Sequence, residues 1–236
     1  GLTASRDAIE HPLGFLAAVS PRGDVDRQSQ SKAGREWQIL KQGLSIKKYP
    51  LCYCTHRAID GVLDLLAAQP VKAADVEAVR VSTSRRNVAV LRNSRPQTGL
   101  EAKFSMQFAM ASSLVAGRVG LGELTDGFVQ RADVQALLPK VTVEADDRED
   151  PARPGAAIYD LVVIETRDGR RLESARITDE RGSPDQPLSA EELWTKFSSC
   201  LAVGNPKLPA RAVFDALMSI ERQTGVAALR GLSRAA

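Results

Sequence analysis

The spacing of apolar residues changes from segment to segment along the middle of the chain, and this mixture of periods constrains the fold most. In "AIDGVLDLLAA" the apolar side chains recur every three to four residues, which predicts a helix that is capped near Thr55 and ended by Pro70. In "DVEAVRVSTS" and "KVTVEAD" apolar and polar residues alternate, which predicts strands. "AIYDLVVIETRDGRRLESARIT" predicts a β-hairpin that turns at Asp168-Gly169. Strands interleaved with helices in this way predict an α+β fold.

Helical patterns also lie outside this set of segments. "PLSAEELWTKFSSCLA" carries a capping box, Ser189 with Glu192 three residues later, ahead of an apolar stripe. In "EAKFSMQFAMASSLVAG" Phe104 and Phe108 begin one apolar face, and Gly117 is predicted to end the helix. Shorter helices are predicted in "HPLGFLAAVS", "RADVQALL" and "ARAVFDALMSIERQ". One strand is predicted in "WQILKQGLSIKKYP", and the stretches 21–36 and 85–99 are predicted to be loops.

These elements predict three parts. The middle part, 44–182, is predicted to be an α+β domain, and the flanks, 1–43 and 183–236, are predicted to be helical. The flanks are far apart in sequence, so we expect them to belong to one helical layer that the middle domain interrupts. Neither flank has enough helix to close a hydrophobic core. We therefore expect an incomplete all-helical domain.

Composition excludes several classes of protein. The 236 residues carry 32 basic and 29 acidic side chains, and this near-balance does not indicate a nucleic-acid partner. Aromatic residues make up 5% of the chain, which disfavours base-stacking surfaces. No apolar run approaches the length of a membrane span, and the first residues do not resemble a signal peptide. The three cysteines, Cys52, Cys54 and Cys200, form no disulfide framework and favour a reducing, cytoplasmic compartment.

The segment "SIKKYPLCYCTHRAID", residues 45–60, concentrates reactive side chains at the start of a predicted helix. Cys52, Cys54 and His56 alternate, so on a strand they would share a face and could be metal ligands. A zinc site needs a fourth ligand, however, and the favoured interpretation is that the two cysteines are small buried hydrophobic side chains. A cysteine with His56 as its base is a second hypothesis. An anion pocket is the third, because lysines and Arg57 bracket a helix N-terminus that offers free N–H donors.

A second basic stretch has two interpretations. Its arginines could attract an anion or nucleic acid, or they could form a solvated loop. The absence of interleaved aromatic residues favours the solvated loop. The arginines of this stretch are Arg85, Arg86, Arg92 and Arg95.

The order and spacing of several motifs resemble the C-terminal portion of the MmgE/PrpD family. These motifs are "IKKYPLCYCTHRAID", "EAKFSMQFAMASSLVAG", "DVQALLPKVTVEAD" and "PLSAEELWTKF", and the opening "LTASRDAIEHPLGFLAAVS" is similar to the family's mid-chain segment. The resemblance extends over essentially all of the chain. It implies an inserted α/β lid domain, 44–182, flanked by helical segments of an incomplete all-helical domain whose N-terminal part is missing. It also implies a homodimer.

The resemblance implies a cofactor-free, metal-free lyase or isomerase that acts on small di- or tricarboxylates. The family includes 2-methylcitrate dehydratase of propionate metabolism, cis-aconitate decarboxylase and iminodisuccinate epimerase. A base would remove a proton alpha to a carboxylate, and nearby cations would stabilise the negative charge that develops. A fragment that holds only half of such a site is expected to be inactive alone. The alternative is a non-catalytic binding or assembly module with the same fold.

Site residues follow from the resemblance at matching positions. Lys47 matches the family's active-site lysine in the basic-basic-aromatic-Pro segment, and His56 matches its Thr-His position; both are predicted to be catalytic. Lys47, with Lys48, Arg57 and Lys103, is predicted to bind substrate carboxylates. Some members carry a tyrosine where this chain has Phe108, so the decarboxylase's particular chemistry does not transfer.

Overall fold

A computed structural model describes residues 3–20, 34–222 and 225, and the chain divides into two units, 1–42 and 43–236. The smaller unit contains helices α1 (Phe15–Val19) and α2 (Gln38–Gln42). The helix predicted in "HPLGFLAAVS" is therefore confirmed. Most of the loop predicted at 21–36 lies outside the described residues.

The strand predicted in 37–50, all of which the structure describes, is wrong. Its first part forms α2, and the remainder, 43–50, is irregular and belongs to no strand. The backbone N–H of Ile46 donates to the carbonyl of Gly182 at 2.7 Å, and that of Cys52 donates to the carbonyl of Lys103 at 2.8 Å. Because these donors reach two different segments, no ladder forms.

A mixed sheet forms the centre of the larger unit, with the strand order β2-β1-β5-β6. β1 pairs in parallel with β2 and antiparallel with β5, and β5 pairs antiparallel with β6. β3 and β4 form a separate antiparallel pair. The strands are β1 (Val76–Ser84), β2 (Val141–Asp146), β3 (Glu149–Asp150), β4 (Arg153–Ala157), β5 (Leu161–Thr166) and β6 (Arg171–Glu173). The strands predicted in "DVEAVRVSTS" and "KVTVEAD" and the hairpin at Asp168-Gly169 are confirmed, as is the α+β class.

Helices pack against this sheet, and further helices follow it in the sequence. Those of the larger unit are α3 (His56–Ala68), α4 (Arg85–Val90), α5 (Gly99–Ala102), α6 (Met106–Ala116), α7 (Asp126–Val129), α8 (Ala132–Leu137), α9 (Ala190–Gly204) and α10 (Ala210–Met218). α3 packs against β5 and α6, and α6 packs against β2 and α8. The predicted helix after Thr55 and the helix in "RADVQALL" are confirmed. The helix predicted in 210–223 is confirmed over α10, and its last residue lies outside the described residues.

Capping explains where two predictions were wrong. The loop predicted at 85–99 begins with a helix, because the Ser84 side chain accepts the N–H of Asn87 and caps α4. The single helix predicted over 101–117 is two, because the Ser105 side chain accepts the N–H of Phe108 and starts α6 anew. Phe108 is buried, whereas Phe104, before the new cap, is 44% exposed. Gly117, with φ of +65°, ends α6 as predicted.

The C-terminal helices pack on each other through aromatic rings. The predicted capping box of Ser189 and Glu192 is present at the start of α9. Trp194 and Phe197 of α9 lie 5.3 and 5.4 Å from the ring of Phe214 in α10. The assignment of these helices to an incomplete helical domain, and the three-part division at 43 and 182, stay predictions. Within the described residues no helix is long and apolar enough to cross a membrane.

Gly182 permits the close approach that positions the segment before α3. Its φ is +94°, and a Cβ there would lie 2.0 Å from the carbonyl oxygen of Ile46. Gly169 at the hairpin has a similar φ of +85°, but a Cβ there would meet nothing within 4 Å. Substituting alanine at each glycine therefore separates the cost of the steric clash from the cost of the left-handed backbone conformation.

We expect Gly182→Ala to destabilise the protein clearly more than Gly169→Ala. The hairpin substitution should lower the free energy of unfolding by about 1–2 kcal/mol, the strain of a left-handed non-glycine residue. Gly182→Ala adds the clash with Ile46. Urea unfolding of both variants measures the difference, and equal losses would contradict the close-packing argument.

Candidate functional site

The segment 45–56 approaches α3 through a short 3₁₀ turn, Tyr53–Thr55, and Thr55 is the N-cap of α3. Within this turn the N–H of Thr55 donates to the carbonyl of Cys52, and the N–H of His56 donates to that of Tyr53. The Thr55 hydroxyl also donates to the carbonyl of Cys52, at 2.8 Å. Two of the donors that an anion pocket at this N-terminus would use are therefore already occupied.

His56 is fully buried at the first position of α3. Its ring lies edge-on to Tyr49 at 5.2 Å and tilted to Tyr53 at 4.8 Å, and neither ring nitrogen makes a hydrogen bond with a described residue. Burial and the positive charge of Lys47 lower the pKa of His56 to about 4, although backbone groups of Leu51 and Tyr49 oppose the shift. The imidazole is therefore neutral at pH 7. Its catalytic role stays a prediction.

The tandem lysines have different surroundings. Lys48 forms an ion pair of 2.6 Å with Glu192 of α9 and lies over the ring of Tyr49. Lys48 and the Ser189 backbone lower the pKa of Glu192 to about 2. Lys47 is exposed and makes no hydrogen bond or ion pair within the part of the chain that the structure describes. Lys48 therefore joins the segment to α9, and Lys47 is available for a ligand.

Lys103 lies at the same turn through its backbone. Its carbonyl accepts the N–H of Cys52 at 2.8 Å, and its side chain is exposed. The structure thus brings the "EAKFS" motif to the segment that carries Lys47. A substrate-binding role for Lys103 stays a prediction.

Arg57 is directed into a separate cleft. It is 9% exposed, its Nε donates to Glu180 at 3.2 Å, and its Nη1 donates to the carbonyl of Ala157 at 2.9 Å. Nη1 also lies 4.0 Å from Oδ1 of Asp160. Two of the five N–H donors of the guanidinium are therefore used within the protein, and the substrate-binding role of Arg57 stays a prediction.

Asp160 is a candidate that the sequence patterns did not indicate. It is 1% exposed; its Oδ2 accepts from the Thr83 hydroxyl at 2.9 Å, and its Oδ1 has no hydrogen-bond partner among the described residues. Burial raises the pKa of this carboxyl to about 7, although the bond from Thr83 and the charge of Arg57 oppose the shift. The signal in the sequence was an acidic residue beside the apolar run "LVVIE".

A second buried carboxylate holds the site together. Asp60 of α3 accepts the Tyr49 hydroxyl at 2.6 Å, the Arg181 backbone N–H at 2.8 Å and the Arg181 side chain at 3.2 Å. Arg181 also binds Asp64, one turn later on α3, at 2.7 Å. These bonds attach both the segment before α3 and the segment around residue 181 to the first half of this helix.

For Cys54 the structure argues against the thiol hypothesis. Burial, with the neighbouring Cys52, raises the pKa of Cys54 to about 12, so this thiol is protonated at neutral pH and is a poor nucleophile. Within the described residues, no group of three or more His, Cys, Asp and Glu side chains is placed to hold a metal ion.

The basic stretch of 85–95 is split between two environments. Arg85 forms two hydrogen bonds, of 3.0 and 2.6 Å, with Asp147. Arg86, its neighbour on α4, lies instead at the cleft that contains Arg57. The side chains of these two adjacent arginines therefore lie in different surroundings.

The titration of His56 predicts how stability depends on pH. Its pKa falls from 6.5 to about 4 on folding, so between these values the unfolded chain binds the proton more readily, and stability is lost as the pH falls through this range. We expect His56→Phe, which removes the titrating group, to reduce this loss by up to about 1.4 kcal/mol per pH unit. Chemical unfolding at pH 4.5, 5.5, 6.5 and 7.5 measures the difference; identical pH slopes in both proteins would contradict the assignment.

Comparison with known proteins identifies the family. The model of the MmgE/PrpD C-terminal domain matches residues 49–227. The chain is 24% identical over 207 residues to cis-aconitate decarboxylase of Homo sapiens and 23% identical over 201 residues to that of Mus musculus. Each alignment covers 84% of this chain and 40% of the relative, so the chain spans well under half the length of these relatives. The match of the family model covers most of the chain, and it follows that this chain belongs to the MmgE/PrpD family.

Proposed function

We propose that this chain is the lid-bearing, C-terminal portion of a cofactor-free lyase or isomerase that acts on small di- or tricarboxylates. The observation that carries the proposal is Lys47: it is the exposed, unpaired member of the tandem lysines within the described residues, and its neighbour Lys48 is held by Glu192. Family membership supports the same class of chemistry.

The surroundings of Lys47 suit a residue that binds a carboxylate. On one side Ile46 bonds to Gly182, and on the other Tyr49 bonds to the buried Asp60, so the backbone that carries the lysine is fixed at both sides. The adjacent His56 is neutral at pH 7 and does not repel the ammonium group. A fixed cation at this point would stabilise the negative charge that develops when a proton alpha to a carboxylate is removed.

Three reactions of this class start from such substrates: loss of water, loss of carbon dioxide and reprotonation on the opposite face. The relatives are named cis-aconitate decarboxylases, which makes cis-aconitate one substrate to test. Phe108 is fully buried and lies edge-on to Phe128 at 6.3 Å, so this chain has no hydroxyl at that position. This difference disfavours decarboxylation, and we propose dehydration of 2-methylcitrate, which would give the protein a place in propionate metabolism, as the first reaction to test.

A binding or assembly module is the second candidate, and the environment of α9 favours it. None of the residues of this 15-residue helix is buried by the described part of the chain, and Val203 is 72% exposed. A cavity of about 710 Å³ lies between α9 and the residues 118–123. Such a surface suits a protein partner, such as a second copy of the chain or a helical domain.

Comparing the complete protein with the 236-residue chain separates these functions. Ultraviolet absorbance would follow the new conjugated carbon–carbon double bond with 2-methylcitrate and citrate, and loss of absorbance would follow consumption of cis-aconitate. We expect turnover by the complete protein and none by the 236-residue chain, because half of the site is absent from the latter. Absence of turnover by both, together with no exchange of the alpha proton with deuterium oxide, would leave the binding module.

Separate substitutions of Lys47 and Lys48 in the complete protein compare the unpaired lysine with its paired neighbour. We expect Lys47→Ala to lower kcat/KM about 10²- to 10³-fold without a change in Tm, because it removes a cation that stabilises developing charge. Lys48 was also predicted to bind substrate, but we propose that its pair with Glu192 makes its role structural. Lys48→Ala should therefore leave kcat/KM within a few-fold of the native value and lower stability by about 1 kcal/mol, since this ion pair is partly exposed. Equal losses of activity in both variants would remove Lys47 from the site.

A further inference from the structure

The cleft that receives Arg57 is a cavity of about 420 Å³. It lies where the start of α3 meets α4 and β4, and Tyr53, Arg86, Arg153, Asp160 and Glu180 are among its lining residues. Its volume is sufficient for a small organic acid. None of the chemistry proposed for Lys47 uses this cavity.

Asp160, one of the lining residues, carries an unpartnered hydrogen-bond acceptor that is itself covered by neighbouring atoms, so a ligand would reach it only after a small shift of the side chains around it. Oδ2 of Asp160 is held by the Thr83 hydroxyl, and this hydroxyl in turn accepts from the side-chain amide of Asn87 at 2.8 Å. The chain of bonds fixes the carboxyl group and leaves Oδ1 without a partner among the described residues. An unsatisfied acceptor at 1% exposure is costly unless a ligand or a solvent molecule donates to it.

Arg86 supplies an unpaired cation at the same cavity. Arg57 is paired with Glu180, and Arg153 is paired with Asp150 and Asp179. Within the described residues Arg86 makes no hydrogen bond or ion pair. Its side chain lies close to Gly155, where a Cβ would be 3.4 Å from the Arg86 Cδ.

The donor that suits Oδ1 of Asp160 is neutral. Nη1 of Arg57 lies 4.0 Å from this oxygen, so an ammonium group placed there would be opposed by the guanidinium. A second carboxylate would be opposed by Asp160 and Glu180. A hydroxyl group can donate to Oδ1 without either penalty. Tyr53, whose buried hydroxyl also has no hydrogen-bond partner among the described residues, is one of the residues that line the same cavity.

We propose that this cavity binds a small 2-hydroxycarboxylate, whose carboxylate pairs with Arg86 and whose hydroxyl donates to Oδ1 of Asp160. The site is distinct from the proposed catalytic position of Lys47. Binding is therefore expected whether or not the protein turns over a substrate.

Isothermal titration of the complete protein with L-malate at about pH 8.5 tests the proposal, because above the pKa of about 7 the Asp160 carboxyl is ionised and Oδ1 can only accept. Succinate lacks the hydroxyl, and 2-methoxysuccinate keeps the oxygen but cannot donate. We expect malate to bind at least about tenfold more tightly than either analogue, because both leave the buried acceptor unpaired. Absence of malate binding at millimolar concentration would overturn the site. Equal affinity for malate and either analogue would overturn the assignment of the hydroxyl to Asp160.

Adjacent arginines provide the matched control. Arg86→Ala should weaken malate binding at least about tenfold with little change in Tm, since Arg86 has no partner in the described part of the chain. Arg85→Ala removes only the pair with Asp147 and should leave the affinity unchanged. Lys47→Ala should also leave it unchanged, which distinguishes this cavity from the proposed catalytic site. Equal weakening by the two arginine variants, or loss of binding in Lys47→Ala, would overturn the proposal.

Discussion

The arrangement of both polar sites depends on the hydrogen bonds that the buried carboxylate of Asp60 accepts. It accepts the Tyr49 hydroxyl from the segment that carries Lys47, and the backbone and side chain of Arg181 from the segment that carries Glu180. At 2% exposure this carboxylate has three donors, which is the condition under which a buried charge is tolerated. Removing one partner of such a buried pair typically costs about 3–5 kcal/mol. These hydrogen bonds therefore hold in place two segments that belong to no strand.

The first turn of α3 contributes residues to two sites, because the side chains of consecutive helical residues point about 100° apart. His56 is directed between two tyrosine rings, on the side influenced by Lys47, whereas Arg57 is directed toward Asp160 and Glu180. Tyr53 connects the two sides, because its ring contacts His56 and the residue also lines the cavity. Burial and the nearby Glu180 raise the pKa of Tyr53 to about 12, so the phenol remains a neutral donor. The sites are adjacent, but they present different groups to a ligand.

Local patterns predicted much of the fold, because the capping box, the hairpin glycine and the periods of α3 and β1 depend on neighbouring residues. The helix at 85–90 was not predicted because a single serine cap outweighed its basic, loop-like composition. The contacts of the candidate site were harder to predict from the sequence. Lys48 and Glu192 are 144 residues apart, and Thr83 and Asp160 are 77 apart, so no period or motif indicates that they meet. The tandem lysines were identified from the sequence, but only the structure shows which of them is paired.

Burial explains why the pKa values of His56, which has no hydrogen-bond partner among the described residues, and of Asp160, which has one, shift in opposite directions. Removal from water penalises the charged form of either sign, so the pKa of His56 falls to about 4 and that of Asp160 rises to about 7. For Asp160 the folded protein binds the proton more readily than the unfolded chain, so its contribution to stability declines as the pH rises from about 4 to about 7. The contribution of His56 declines as the pH falls over nearly the same range, and the two slopes oppose each other. Neither group receives the hydrogen bonds that support Asp60, and both therefore reduce stability in one charge state. A fold selected for stability alone would place apolar residues at these positions, which supports a role in binding or chemistry for the surroundings of both.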